Sequence, residues 1–166
     1  STPLSPDEIS YLPQQNPVEK GFPATVREVV LTGTQKSGRK LCTFYSKEDK
    51  MLADRAIETM GIGAIASKRI GGLSGGQQQR VMIARSICRK PKLLFLDEPC
   101  AGLDAQISAE IYTMLKKFNG DGMTIVMVSH DMEEIGKYAV INQKIEFDGN
   151  AEAWHFYHHH RGCHHD

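Results

Sequence analysis

Two short stretches of this chain carry residue types that can do phosphate chemistry. In Gly72-Leu73-Ser74-Gly75-Gly76-Gln77-Gln78-Gln79-Arg80, two glycines and a serine open a helical pattern. Gly75 and Gly76 let backbone amides approach an anion closely, at the end where a helix dipole is positive, while Ser74 adds a hydroxyl and Gln77 an amide. The second stretch, Leu93-Leu94-Phe95-Leu96-Asp97-Glu98-Pro99, is an apolar strand ending in two carboxylates. Open α/β sheets bind ligands at the carboxyl ends of their strands. There Asp97 can hold Mg²⁺, directly or through water, and Glu98 can orient or deprotonate an attacking water. Neighbouring residues on a strand point opposite ways, so aiming both acids at one site needs a turn, expected to begin at Pro99. His130 follows a third apolar run, 124–129, and comes level with the two acids, where it can donate to a γ-phosphate or position the water.

These are parts of nucleoside triphosphate chemistry, yet the Gly-rich loop with lysine, G-x-x-x-x-G-K-[ST], occurs nowhere in the 166 residues. The nearest spelling, Gly33-Thr34-Gln35-Lys36-Ser37-Gly38-Arg39-Lys40, follows no apolar strand and closes without Lys-Ser or Lys-Thr. It reads as a polar, basic loop. The chain is therefore expected to be one part of a machine whose other part lies elsewhere.

The elements that must position these residues follow from hydrophobic spacing. Ile9-Ser10-Tyr11-Leu12 alternates and stops at Pro13, as a strand end does, and Gln14-Gln15-Asn16-Pro17 reads as a loop. Helical spacing runs over 25–31, 47–60 and 75–89, with Pro91 ending the last and Arg80, Arg85 and Arg89 on its open side. Residues 93–96 and 124–128 are continuous apolar runs, the pattern of parallel strands covered on both faces. The amphipathic stretch 105–118 between them completes a strand-helix-strand crossover. A closing hairpin is expected from 139–141 and 144–147, turning at Asn142-Gln143. From His155 to Asp166 the chain is polar, rich in histidine and expected to be mobile.

Bulk composition chooses no partner. The 166 residues carry 20 basic and 20 acidic side chains, so no large field draws in nucleic acid or anionic lipid, and phosphate binding must be local. The four cysteines, Cys42, Cys88, Cys100 and Cys163, form no C-x-x-C pair, which fits a reduced cytosolic protein, with Cys88 and Cys100 as core thiols. No apolar run approaches the roughly 18–20 residues that span a bilayer, and the opening Ser1-Thr2-Pro3-Leu4-Ser5-Pro6 is not a signal peptide. A membrane, if involved, comes with a partner subunit.

Leu73-Ser74-Gly75-Gly76-Gln77, the 93–99 run, Ala101-Gly102-Leu103-Asp104 and Ser129-His130-Asp131 resemble, in order and spacing, the signature motif, Walker B strand, D-loop and H-loop of ATP-binding cassette (ABC) ATPases. Tyr11-Leu12-Pro13-Gln14 resembles the Q-loop, and the likeness spans about residues 8–150. It implies an α/β fold: a RecA-like P-loop NTPase sheet with an inserted ABC helical subdomain, lacking the amino-terminal β-subdomain and the Walker A region. By that resemblance 1–16 hold a core strand and the start of the Q-loop, 17–90 the helical subdomain, 91–150 the RecA-like core, and 151–166 a histidine-rich tail. It further implies ATP and Mg²⁺ as cofactors, with Gln14 and Asp97 at the Mg²⁺. Ser74, Gly75, Gly76 and Gln77 would face the nucleotide, Asp104 would communicate across a dimer interface, and Glu98 and His130 would be catalytic. The implied partners are a membrane permease, to which Gln14 couples, and a second nucleotide-binding subunit. The implied place is the inner face of the cell membrane.

Phe22-Pro23-Ala24-Thr25-Val26 with Glu28-Val29-Val30, and Glu98-Pro99-Cys100-Ala101-Gly102-Leu103-Asp104, are similar to the cassette subunits of zinc and manganese importers. The tail fits that theme, since His155, His158, His159, His160, Cys163, His164, His165 and Asp166 are borderline metal ligands. A solvated low-complexity end is the alternative. Without the Walker A amides and lysine the β- and γ-phosphates lose most of their ligands. The chain alone is therefore expected not to hydrolyse ATP, and to be marginal or prone to associate through uncovered strands. Two other readings stay open: a cassette ATPase working outside transport, and a non-catalytic metal-binding or regulatory protein with a cassette remnant.

Overall fold

The computed structural model describes residues 3–14, 17–35 and 44–129, and the backbone of two further strands at 143–147 and 154–158. Three strands, β1 (Ile9–Leu12), β2 (Leu93–Asp97) and β3 (Thr124–Val128), form a parallel sheet in the order β1-β2-β3. Parallel pairing needs long crossovers. Three helices, α1 (Val26–Thr32), α2 (Lys47–Thr59) and α3 (Gly75–Ile87), lie between β1 and β2, and one, α4 (Ala105–Gly120), between β2 and β3.

Side chains that alternate along a strand sort the sheet into two unlike faces. Leu12, Leu94 and Leu96 are buried and join the core with side chains of α3 and α4. On the other face Tyr11, Phe95 and Val126 stand side by side in register and are 59%, 37% and 40% exposed. The continuous apolar runs were expected to be covered on both faces. Among the described residues the helices that pack on the sheet, α3 on β1 and α4 on β3, bury the Leu12–Leu94–Leu96 side, and the second face stays open.

Each helix starts where a side chain can satisfy its first amides. Thr25, Ser46 and Ser74 form capping boxes with Glu28, Asp49 and Gln77, and Asp104 caps α4 by accepting from Ile107 N–H at 3.0 Å. Val26, Val30, Ala53, Val81, Ile83 and Ala84 are wholly buried where α1, α2 and α3 pack together. Gly33 shows how tight this packing is, since a Cβ there would lie 2.0 Å from the carbonyl oxygen of Arg85. Close approach to α3 thus accounts for this glycine at the α1 C-cap, while residues 36–40 of the polar loop lie outside the described residues. Cys88 is buried, its thiol donates to Val30 O at 3.3 Å, and burial pushes its pKa up to about 12. Cys100 is half-buried.

Several expectations are corrected. Helix α3 ends at Ile87 rather than Arg89, because Lys90 takes a left-handed φ of 52° and its N–H turns back to Ile87 O at 2.8 Å, ahead of Pro91. Arg80 is not simply on the open side: it pairs with Glu110 of α4 and donates to Met60 O at 3.4 Å. Gln143 lies in a strand, β4 (Gln143–Phe147), not in a turn, and the partner of β4 is β5 (Trp154–His158), antiparallel. The tail is thus extended as far as His158, where Trp154, Phe156 and Tyr157 favour a strand more strongly than the histidines oppose it. The expected partner at 139–141 lies outside the described residues.

Candidate functional site

Gln14, Asp97, Glu98 and Ser129 come to one edge because three neighbouring strands run parallel and end together. Leu12 pairs with Leu96 and Asp97 with Val128, so the residues just past each strand share the carboxyl edge of the sheet. Gln14 is exposed there, and Asp97 and Glu98 are half-buried.

The device that re-aims the acids is at Glu98 itself, not at Pro99. Glu98 holds φ at 47°, in the left-handed region, although it is not glycine. Its N–H still continues the ladder, donating to Val128 O at 2.9 Å, while its carbonyl accepts from Ala101 N–H at 3.2 Å. Pairing thus persists through the residue at which the chain reverses hand, so two successive acids leave a strand without keeping the strand's alternation. Ser129 Oγ donates to Glu98 Oε2 at 3.5 Å, joining the ends of β2 and β3. Nothing in the spacing of Ser129 marks it as the partner of Glu98, and its place next to His130 is the available signal. His130 itself lies outside the described residues.

The α3 turn is built by the side chains expected to face a phosphate. Ser74 Oγ accepts from Gln77 N–H at 3.3 Å and Gln77 Oε1 accepts from Ser74 N–H at 3.2 Å. One end of each group is therefore spent on the cap, leaving the Ser74 hydroxyl hydrogen and the Gln77 Nε2 hydrogens as donors. Gly75 is exposed, and a Cβ there would sit 3.4 Å from Leu103 Cδ2. Gly76 is buried, and a Cβ on it would lie 2.7 Å from Ile107 Cγ2. The two helix starts, α3 at Ser74 and α4 at Asp104, are thereby packed against each other. Glycine at 76 is explained by α4 as much as by any ligand.

The structure thus forms two groups: Gln14, Asp97, Glu98 and Ser129 at the sheet edge, and Ser74, Gly75, Gly76, Gln77 and Asp104 at the paired helix starts. The 98–104 turn bridges them, with Leu103 N–H donating to Cys100 O at 3.1 Å. Among the described residues no group of three or more His, Cys, Asp or Glu side chains could hold a metal ion. His159, His160, Cys163, His164, His165 and Asp166 lie outside those residues, and His155 and His158 are placed only by their backbone in β5. Among the described residues, no helix is long and apolar enough to cross a membrane.

Sequence reasoning passed over Gln78, a buried amide inside the glycine-rich run. The signal was available, since three and four residues separate Gln78 from Val81 and Met82 on the buried stripe of α3.

Known proteins are similar to this chain in sequence and in fold. The manganese transport system ATP-binding protein MntB of Listeria innocua is 40% identical over 149 residues, 87% of this chain and 62% of its own length. The zinc transport system ATP-binding protein TroB of Treponema pallidum is 41% identical over 130 residues, 78% of this chain and 48% of its own. The chain therefore spans about half to three fifths of these relatives. Among solved structures, an ABC transporter described as metal-chelate type, in an inward-facing conformation, superimposes with a TM-score of 0.75 at 26% identity, over 91% of this chain and 58% of that one. CbiO1 from Clostridium perfringens, part of the ABC transporter complex cbiONQ, gives 0.62 at 29% identity, over 80% and 51%. The family described as ABC transporter matches residues 1–101, more than half of the sequence, and the α/β fold with a parallel sheet is shared with those solved structures. The chain belongs to the ABC transporter family.

Proposed function

We propose that this chain supplies the carboxylate edge and the phosphate-capping turn of an ATP-hydrolysing subunit, which powers movement of manganese or zinc through a separate membrane permease. The observation that carries the reading is Glu98. A carboxylate residue held at φ 47° beside Asp97, braced by Ser129 and by the ladder bond to Val128, is backbone strain of the kind that active sites retain. Asp97 and Gln14 offer a carboxylate and an amide oxygen, a donor set that suits a hard cation keeping most of its waters. When bound, Mg²⁺ neutralises charge on the phosphate oxygens. Glu98 orients the attacking water and accepts its proton, and His130 donates to the γ-phosphate.

The α3 turn, with Gly75, Gly76, Ser74 and Gln77, caps the phosphates of a nucleotide held on a second subunit, and Asp104 lies at that same interface. A cleft of about 330 Å³ reaches Pro13, one residue before Gln14, with Arg85 and Arg89 in its wall, and supports coupling of this loop to the permease. The names of the manganese and zinc relatives support the cargo. With no Lys-bearing phosphate loop in its 166 residues, the chain alone is inactive.

The test joins this chain to a segment carrying a Lys-bearing phosphate loop taken from MntB, the part that the resemblance to cassette ATPases implies is needed to hold the β- and γ-phosphates. The purified chain alone should not turn over ATP, the chimaera should, and Glu98→Gln in the chimaera should lower turnover at least about 10²-fold, within the range of a lost general base, while ATP stays bound. Unchanged hydrolysis in Glu98→Gln, or turnover by the unjoined chain, refutes the reading.

A further inference from the structure

Gln78 carries a polar side chain into the buried stripe of α3, where it is 8% exposed. Burying an amide is costly unless its hydrogen-bonding groups find partners. Here Oε1 accepts from Val18 N–H at 2.9 Å, and Nε2 donates to Ile70 O at 3.2 Å and to Leu73 O at 3.3 Å. One carboxamide thus grips two segments far apart in sequence: the stretch that leaves the Gln14 loop and the loop that delivers the chain into the α3 turn. The same segments meet again at Gly71, where a Cβ would lie 2.5 Å from Glu19 O and 2.9 Å from Phe22 N. A little further on, Ile70 N–H donates to Ala24 O at 3.0 Å. These are approaches of backbone to backbone, with no flexible side chain between them to absorb a displacement.

We infer that Gln78 is a positioning residue, which makes the shape of the 73–76 turn depend on where the backbone lies at Val18. It acts through the carbonyls of Ile70 and Leu73. The carboxamide is planar and rigid, so a shift of the 17–19 segment that carries Oε1 carries Nε2 as well, and the two carbonyls follow. Leu73 N–H is bonded to Ile70 O at 3.1 Å, and the next residue, Ser74, is the cap of α3. The functional meaning rests on the nucleotide reading of that turn, but the coupling itself is measurable with no nucleotide present.

The experiment is a double-mutant cycle read by amide hydrogen exchange in the full chain. Val18→Pro removes the N–H that Oε1 accepts. Alone, it should speed exchange at Leu73, Ser74 and Gln77 about fivefold or more, the scale of one buried hydrogen bond. In a Gln78→Met background, where those amides already exchange faster, Val18→Pro should add nothing further. Gln78→Glu separates the two arms, because its carboxylate can accept from Val18 but cannot donate to Ile70 and Leu73. In that variant the Val18 amide should stay slow while the turn amides speed up. Lowering the pH through the carboxyl's titration should return the turn amides towards the wild-type rate at the same pH, a recovery that loosened packing does not give. Additive effects in the cycle, or turn amides unmoved by Val18→Pro, overturn the inference. If Gln78→Met loses its helical circular dichroism, the pH arm of Gln78→Glu decides: recovery supports the coupling and no recovery overturns it. As no nucleotide enters, failure here leaves the Glu98 test standing, and failure there leaves this one.

Discussion

The layer of α1, α2 and α3 and the three-stranded sheet obey opposite rules of burial. Each of the three helices has a side-chain cap, and their contacts are filled by fully buried Val26, Val30, Ala53, Val81, Ile83 and Ala84. Among the described residues the sheet is covered on one side only: its other face presents Tyr11, Phe95 and Val126 in a row, with Val128 59% exposed at the end of β3. The helices thus bury most of their own apolar surface, with Met51 of α2 the exception at 55% exposed. The sheet displays an apolar surface of the kind that marks an interaction face. The candidate chemistry sits where the two regimes meet, at the strand ends and at a helix start pinned by α4.

The sharpest way to break this contrast is to make comparable changes in both regions. Ile83→Ala empties a fully buried position and should cost about 2–5 kcal/mol in urea unfolding. Val126→Thr with Val128→Thr keeps β-branched residues on the open face and should stay within about 0.5 kcal/mol per site. The double variant should also associate less in sedimentation velocity. Equal losses of stability in the two experiments would mean that the sheet face is covered in solution, and the contrast would fail.

An intermediate effect is expected where the helical layer meets the site. Gly76→Ala places a methyl 2.7 Å from Ile107 Cγ2, and overpacking of this kind costs about 1–3 kcal/mol. Ile107→Ala alone should also destabilise, yet the pair should recover part of the loss, because the second change makes room for the first. Thermal unfolding of the four proteins reads the cycle. Strict additivity would place the need for glycine in the backbone of the turn rather than in its contact with α4.

What was legible in the sequence follows the same division. Hydrophobic spacing marks helices, so the periodic runs that begin at residues 25, 47, 75 and 105 announced α1, α2, α3 and α4 to within a residue at their starts. Ile9 to Leu12, Leu93 to Leu96 and Thr124 to Val128 announced the strands, and their parallel run places Gln14, Asp97 and Glu98 at one edge of the sheet. The sequence did not show which side of the sheet would be covered, because a continuous apolar run looks the same with one partner layer or two. Nor did it show the hand of the backbone at Glu98, which is set by the ladder bond to Val128, 30 residues away in the chain, and by the turn at Ala101. Gln78 went unread for a related reason: its partners, Val18, Ile70 and Leu73, are brought to it only by packing.

The smallest expected effect lies at the opposite edge of the sheet, where the strands begin. Glu8 accepts from Lys92 Nζ at 2.5 Å, and its Oε2 accepts from Ser5 N–H at 2.9 Å. The Lys92 hydrogen bond foremost, then those from Ser5, lower its pKa from 4.5 to about 2. A carboxyl held lower in the folded chain than in the unfolded one stabilises the fold above the unfolded value, and that contribution fades as pH falls through the folded one. The window therefore runs from about pH 4.5 down to about pH 2. Wild type and Glu8→Gln should differ by a constant small amount above it, and the difference should close across it, as read by chemical unfolding at stepped pH. The amount is small because the pair is exposed to water and salt, which should shrink it further. A difference that persists unchanged to pH 2 would assign the effect of Glu8 to packing at the start of β1, not to its charge, and the amino-terminal edge would then behave like the helical layer.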